Sequence, residues 1–161
     1  MTAKEERYLH LDECIRSLNE AWHIVREVRA SPQKSAITAA ACRYALVAYA
    51  RPYTASDGIH QNRRRKNAYK YETPPQGIAG EELALHDEIL LLRHKILAHS
   101  DLNVKDAKIY LLHQGDGAKA CIVSNIPPSL PDPSAVINLI EHTLDLLYEE
   151  RTKGQEDLRK A

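Results

Sequence analysis

The 161-residue sequence has no net charge, because 22 lysines and arginines balance 22 aspartates and glutamates. That balance excludes a global field drawing the molecule onto nucleic acid or lipid. It also gives no protection against self-association, so an oligomer is expected. Long hydrophobic runs are missing, and none approaches the roughly 18 residues of a membrane span. The charged start, MTAKEERYLHLDE, lacks the apolar stretch of a signal peptide. Cysteine is scarce: Cys14, Cys42 and Cys121 are far apart, odd in number and set in apolar surroundings. They read as reduced packing residues of a cytoplasmic protein. No phosphate-binding glycine loop and no nucleophile elbow occurs. Zinc-binding helices pair histidines four residues apart, which His86, His94 and His99 do not. With no cysteine or carboxylate cluster to complete a site, no metal or other cofactor is expected.

What remains is an ordinary soluble composition, 43% apolar and 27% charged, in a chain long enough for one domain with a sizeable core. Residues 1–161 are therefore read as a single helical-bundle domain. The first helix is expected from Lys4 to Ala30, where Tyr8, Leu11, Ile15, Leu18, Trp22 and Val25 form one three-four stripe. Ser31-Pro32 ends it. The second, alanine-rich helix covers Lys34 to Ala50, with Ile37, Ala41, Tyr44 and Val47 on one side. Its small residues permit close approach of a neighbour, which places it inside the bundle, and Pro52 stops it. A third helix starts at Gly80-Glu81-Glu82, where acids suit the positive helix end, and runs to His99. Two β-like segments, 107–113 and 119–125, flank the turn chemistry of QGDGA and predict a small hairpin. A last helix runs from Pro133 to Arg151, capped by Asp132 and facing inward at Val136, Ile140, Leu144 and Leu147. The polar tail 152–161 is expected to fray. The fold class is mainly α, with four to five helices and a hairpin near 107–125.

One long irregular stretch, 52–79, departs from the neutral whole. Over residues 51–71, Arg51, Arg63, Arg64, Arg65, Lys66 and Lys70 oppose only Asp57, leaving +5. Tyr53, Tyr69 and Tyr71 are interleaved with these charges. Basic residues beside stacking aromatics suit a single-stranded nucleic acid, and the same run also suits a solvated loop. Arg51, Arg63, Arg64, Arg65, Lys66, Tyr69 and Lys70 are the candidate RNA-binding residues.

The third helix carries the sharpest signal. In LLLRHKILAHSD, residues 90–101, a run of apolar side chains meets Arg93, His94 and His99. Leu85, Ile89, Leu92, Ile96 and His99 follow one stripe; Leu83, His86, Leu90, Arg93 and Leu97 follow the next. Arg93 and His99 thus lie on the apolar side, while Glu88, His94 and Lys95 lie outward. An arginine on an apolar stripe snorkels or finds an anionic partner. Glu141 or Asp145 could serve within the chain. Six residues of helix separate Arg93 from His99 by about 120° and about 9 Å. They can share a pocket only if the helix ends near Ala98 or a second copy contributes. His99 faces the negative helix end, which favours its protonated form, and Lys95 opposes this.

Arg93-His94-Lys95-Ile96-Leu97-Ala98-His99 resembles the motif of the HEPN superfamily of helical bundles: arginine, four to six residues, then histidine, with Asn, Asp or His commonly after the arginine. Arg16 and His23 match the bare spacing, but only Arg93 is followed by such a residue. LRHKILAHSD and YARPYT (Tyr49–Thr54) look like the bacterial branch associated with abortive infection. The framework resemblance covers about residues 5–150, its sharp part about a dozen. It implies a dimeric, metal-independent endoribonuclease in which the RNA 2′-hydroxyl attacks the adjacent phosphate and leaves a cyclic phosphate. In that scheme His99 moves protons, Arg93 holds the phosphate and stabilises its developing charge, and His94 orients one of them or the substrate. A toxin or phage-defence role follows, with an antitoxin protein as a partner. Where some such toxins have a modified tyrosine two residues past the histidine, this chain has Asp101, so that regulation is not implied. The other readings are a non-catalytic HEPN-like dimeric module that binds nucleotide, RNA or a protein partner, and a plain bundle with Arg93 in an internal ion pair.

Overall fold

The computed structural model describes residues 2–54, 77–94, 106–114, 118–126 and 129–159, the two segments between 106 and 126 by their backbone. It is mainly helical. Helix α1 (Ala3–Ala30) starts in a capping box, with the Thr2 hydroxyl accepting the Glu5 N–H and the Glu5 carboxylate accepting the Thr2 N–H. Helix α2 (Ala36–Ala50) has the corresponding Ser35–Thr38 box and passes into a short 3-10 turn, Arg51–Tyr53, at Pro52. Helix α3 (Gly80–Leu92) follows, then strands β1 (Asp106–Gln114) and β2 (Ala118–Ile126), then helix α4 (Pro133–Arg159). The strands pair antiparallel, from Asp106 opposite Ile126 to Gln114 opposite Ala118. No helix among the described residues is long and apolar enough to cross a membrane.

Helix α1 is the central element, packed on one side by α2 and on the other by α4. This explains why burial extends around it beyond one stripe. Leu11, Ile15, Leu18 and Val25 are buried as their spacing predicts, and Cys14, Ser17 and Ala21 are buried beside them. Tyr8 and Trp22 are half-buried. Helix α4 lies antiparallel to α1. Trp22 Nε1 donates to Glu141 at 2.7 Å, Asn19 Nδ2 to the Tyr148 hydroxyl at 3.0 Å, and Arg7 pairs with Glu150 at 3.3 Å. Val136, Ile140, Leu144 and Leu147 all face the core. At the start of α4, Asp132 Oδ2 accepts the Ala135 N–H at 3.0 Å. Asp132→Ala leaves that N–H without its cap and is expected to cost about 1 kcal/mol, read as a lower urea midpoint with unchanged slope.

Two expectations are corrected. The buried face of α2 is Cys42, Ala45, Leu46 and Tyr49; the side formed by Ile37, Ala41, Tyr44 and Val47 is exposed or half-buried. Ile37 is 81% exposed, and Tyr44 turns outward, where its hydroxyl donates to Glu20 at 2.9 Å. Helix α2 therefore lies at the edge of the bundle. Ala45, Ala48 and Ala50, all fully buried, give it the close approach to its neighbours that small residues allow. The tail from Thr152 does not fray as expected: α4 runs on to Arg159. The N-terminal turns of α1 supply partners for it. Gln155 Nε2 donates to the Tyr8 hydroxyl at 2.8 Å, and Arg151 pairs with Asp12 at 3.7 Å. Gly154 lets the Tyr8 ring lie close, since a Cβ there would stand 3.3 Å from Tyr8 Cδ2.

Candidate functional site

The chain enters α3 through Gly77, whose φ of 97° is a left-handed conformation open to glycine. Glu81 and Glu82 fill the first turn, as the helix dipole favours. Glu82 also reaches α4, with Oε2 2.8 Å from His142 Nδ1. Helix α3 packs chiefly on α4 and α2. Its buried residues are His86, Ile89 and Leu92, spaced three apart along one face.

Arg93 comes next on this helix. Its backbone is helical (φ −58°, ψ −49°), and its N–H reaches the carbonyls of Ile89 and Leu90. Arg93 and His94 continue the helix as a wider, π-type turn, a local geometry often found at functional positions. Arg93 is half-buried and His94 exposed, as the stripe pattern places them. Among the described residues, no carboxylate lies at ion-pair distance from the Arg93 guanidinium. Glu141, a candidate partner, instead accepts the Trp22 N–H. The guanidinium thus sits at the rim of the core with its charge uncompensated by a described side chain.

His99, the second residue of the motif, lies outside the described residues, as do Arg63, Arg64, Arg65, Lys66, Tyr69 and Lys70 of the basic loop. Of the candidate RNA-binding residues, Arg51 is described. It closes α2 and binds within its own chain: Nη1 is 3.2 Å from Glu20 Oε2, and Nη2 donates to the Tyr44 hydroxyl at 3.2 Å. The hydrogen bond to Tyr44, with Glu20 beside it, raises the pKa of Arg51 and keeps it charged. Its positive charge is therefore already matched in part by Glu20. A separate cavity of about 310 Å³ opens between the start of α1 and the end of α4, lined by Arg7, Tyr8, Glu150, Lys153 and Asp157 among others. Its mixed charges offer no uniform field to an anion.

A further group was not singled out from the sequence. The Tyr49 hydroxyl lies 2.8 Å from His86 Nδ1. The His86 ring meets Tyr53 edge-on at 4.6 Å between centroids and Tyr49 at 5.8 Å. Thr143 closes the cluster from α4, its hydroxyl donating to the Leu139 carbonyl at 2.8 Å. His86 and Thr143 have no exposure. Burial pushes the Tyr49 and Tyr53 phenols far up and His86 down, against a weaker opposite pull from Asp87. The available signal was the position of His86, three residues before Ile89 on the inner face; its partners, 33 to 57 residues away in sequence, had no local signature.

Cys14 and Cys42 are buried free thiols, with burial raising Cys14 to about 12 and Cys42 less far. Such thiols stay protonated and unreactive. Among the described residues, no group of three or more histidine, cysteine or carboxylate side chains could hold a metal. No protein-family model, no curated protein and no solved structure matches the chain.

Proposed function

We propose that the chain is a HEPN-like, metal-independent endoribonuclease that acts as a cytoplasmic homodimer, in a toxin or phage-defence role. The observation that carries this reading is Arg93: half-buried at the end of α3, helical, and without a carboxylate at ion-pair distance among the described residues. A guanidinium in such surroundings gains most from a dianionic or bidentate oxyanion such as a phosphate. His99 supplies the proton transfers, His94 orients, and Arg63, Arg64, Arg65, Lys66, Tyr69 and Lys70 guide the strand. The hairpin has no part in this scheme, and the four helices serve as the bundle that presents the motif.

The second reading is a non-catalytic HEPN-like dimeric module in which Arg93 holds a nucleotide, RNA or partner carboxylate without cleavage. Leu91, 47% exposed two residues before Arg93, favours an interface at this end of α3. One experiment separates the two. The protein is incubated with mixed RNA in excess EDTA beside Arg93→Ala and His99→Ala. The nuclease reading expects fragments ending in cyclic phosphate from the unmodified protein and intact RNA from both variants. RNA that stays intact with every protein, but binds only where Arg93 is present, establishes the second reading. Cleavage that persists in His99→Ala removes His99 from its assigned role.

A further inference from the structure

Helix α3 is fastened by three buried side chains, His86, Ile89 and Leu92, and one of the three is an imidazole. His86 is fully buried. Its Nδ1 faces the Tyr49 hydroxyl at 2.8 Å, while its Nε2 is sealed from solvent and has no hydrogen-bond partner among the described residues. Two tyrosine rings stand nearly perpendicular to it, Tyr53 at 4.6 Å and Tyr49 at 5.8 Å between centroids. This geometry suits a neutral ring, which needs to donate through one nitrogen only. A protonated ring has two donors. One can still be accepted by the Tyr49 oxygen; the other, at Nε2, meets no acceptor among the described residues, and a buried charged donor left unmet is among the least favourable groups in a folded protein.

We propose that His86 is a pH-sensitive latch: when neutral it docks α3, and with it Arg93 and His94, on Tyr49, and when protonated it releases α3 from the bundle. Among the described residues, the groups around it supply no buried counter-charge that would hold a protonated ring in place. From α2 and the following turn come Tyr49 and Tyr53, both kept neutral by burial. From α4 come Thr143, which does not titrate, and His142, which is engaged by Glu82. From α1, Cys14 stands toward Tyr53 with its thiol neutral. On α3 itself, Glu82 acts on Tyr49, and Asp87 favours the charged imidazole from an exposed, water-screened position. Burial outweighs Asp87, and the ring is harder to protonate than a free histidine.

The sign follows from this. The released or unfolded form binds a proton near the ordinary histidine value, about 6.5, whereas the docked form binds it only at lower pH. Docking is therefore fully present above about pH 6.5 and weakens as pH falls below it, by up to tenfold in the opening equilibrium per pH unit until the docked ring itself titrates. The latch does not depend on whether the chain cuts RNA, and its test does not use cleavage. Amide hydrogen exchange of the full chain is followed by mass spectrometry from pH 7.5 to 5, corrected for the intrinsic pH dependence of exchange. The expected result is that α3 loses protection approaching tenfold per unit below pH 6.5, while α1 and α4 keep theirs, and that His86→Gln flattens the α3 response. A flat response in the unmodified chain, parallel loss in all three helices, or an unchanged slope in His86→Gln would overturn the proposal. Should His86→Gln not fold, NMR of the imidazole nitrogens in the unmodified chain decides. His86 is expected to stay neutral as pH falls through the ordinary histidine value, about 6.5; protonation at that value overturns the latch.

Discussion

On the proposed nuclease function, Arg93→Ala is expected to slow RNA cleavage by about 100- to 1,000-fold, the usual effect of removing one preorganised donor from a developing oxyanion. Arg93 itself holds little of the fold together. Among the described residues it compensates no carboxylate, so its removal leaves no buried anion unpaired. It is half-buried at a helix end, where alanine is at least as good a helix former. The fold should therefore lose no more than roughly 0.5 kcal/mol, the typical range for a substitution away from the core, and the large effect falls on chemistry. Arg93→Lys should recover only part of the rate, because an ammonium keeps the charge but loses the planar two-donor fork. Single-turnover cleavage at saturating protein isolates the chemical step, and circular dichroism confirms that helix content is retained. A rate within threefold of the unmodified protein would remove Arg93 from the reaction.

Leu18→Ala is expected to destabilise the protein by about 2–5 kcal/mol, a large share of the roughly 5–15 kcal/mol that holds a typical domain folded. Leu18 has no exposure and sits on α1, the helix enclosed by α2 and α4. Neighbours on two sides are pinned by their own contacts, so the space left by the side chain closes only in part, and a cavity adds to the lost transfer energy. The lone tryptophan gives the readout. Trp22 lies one turn along on the same helix, with its N–H on Glu141 of α4, so its fluorescence reports separation of the two helices during urea unfolding. Ile37→Ala is the control. Ile37 is similar in size and 81% exposed, so its loss should shift stability by no more than about 0.5 kcal/mol. Equal shifts for the two variants would contradict this packing.

Some of this architecture can be read locally, and some cannot. On α1 and α4 the three-four alternation is strong, and the stripes read from it are the ones buried: Leu11, Ile15, Leu18 and Val25 on the first, Val136, Ile140, Leu144 and Leu147 on the last. The helix start at Asp132-Pro133 was legible for a similar reason, since a cap acts within one turn of chain. Helix α2 has small apolar residues on every side, so periodicity does not choose its face. The choice fell to Tyr44, whose hydroxyl finds Glu20 and Arg51 on the outside, and to Tyr49, whose hydroxyl finds His86 on the inside. The end of α4 reads as a fraying polar tail until Tyr8 and Asp12 of α1 are placed beside it. Arg93 and His94 were legible as inner and outer residues because their position on the stripe sets their exposure.

What the sequence determined by itself is therefore which helices form, where they begin, and which face of the strongly patterned ones turns inward, since all three are decided within a few turns of chain. What only the tertiary structure decided is the face of α2, the persistence of α4 to Arg159, and the environment of His86. Each depends on a polar group whose partner lies tens of residues away, and whether such a group is satisfied or stranded is fixed only when the helices pack.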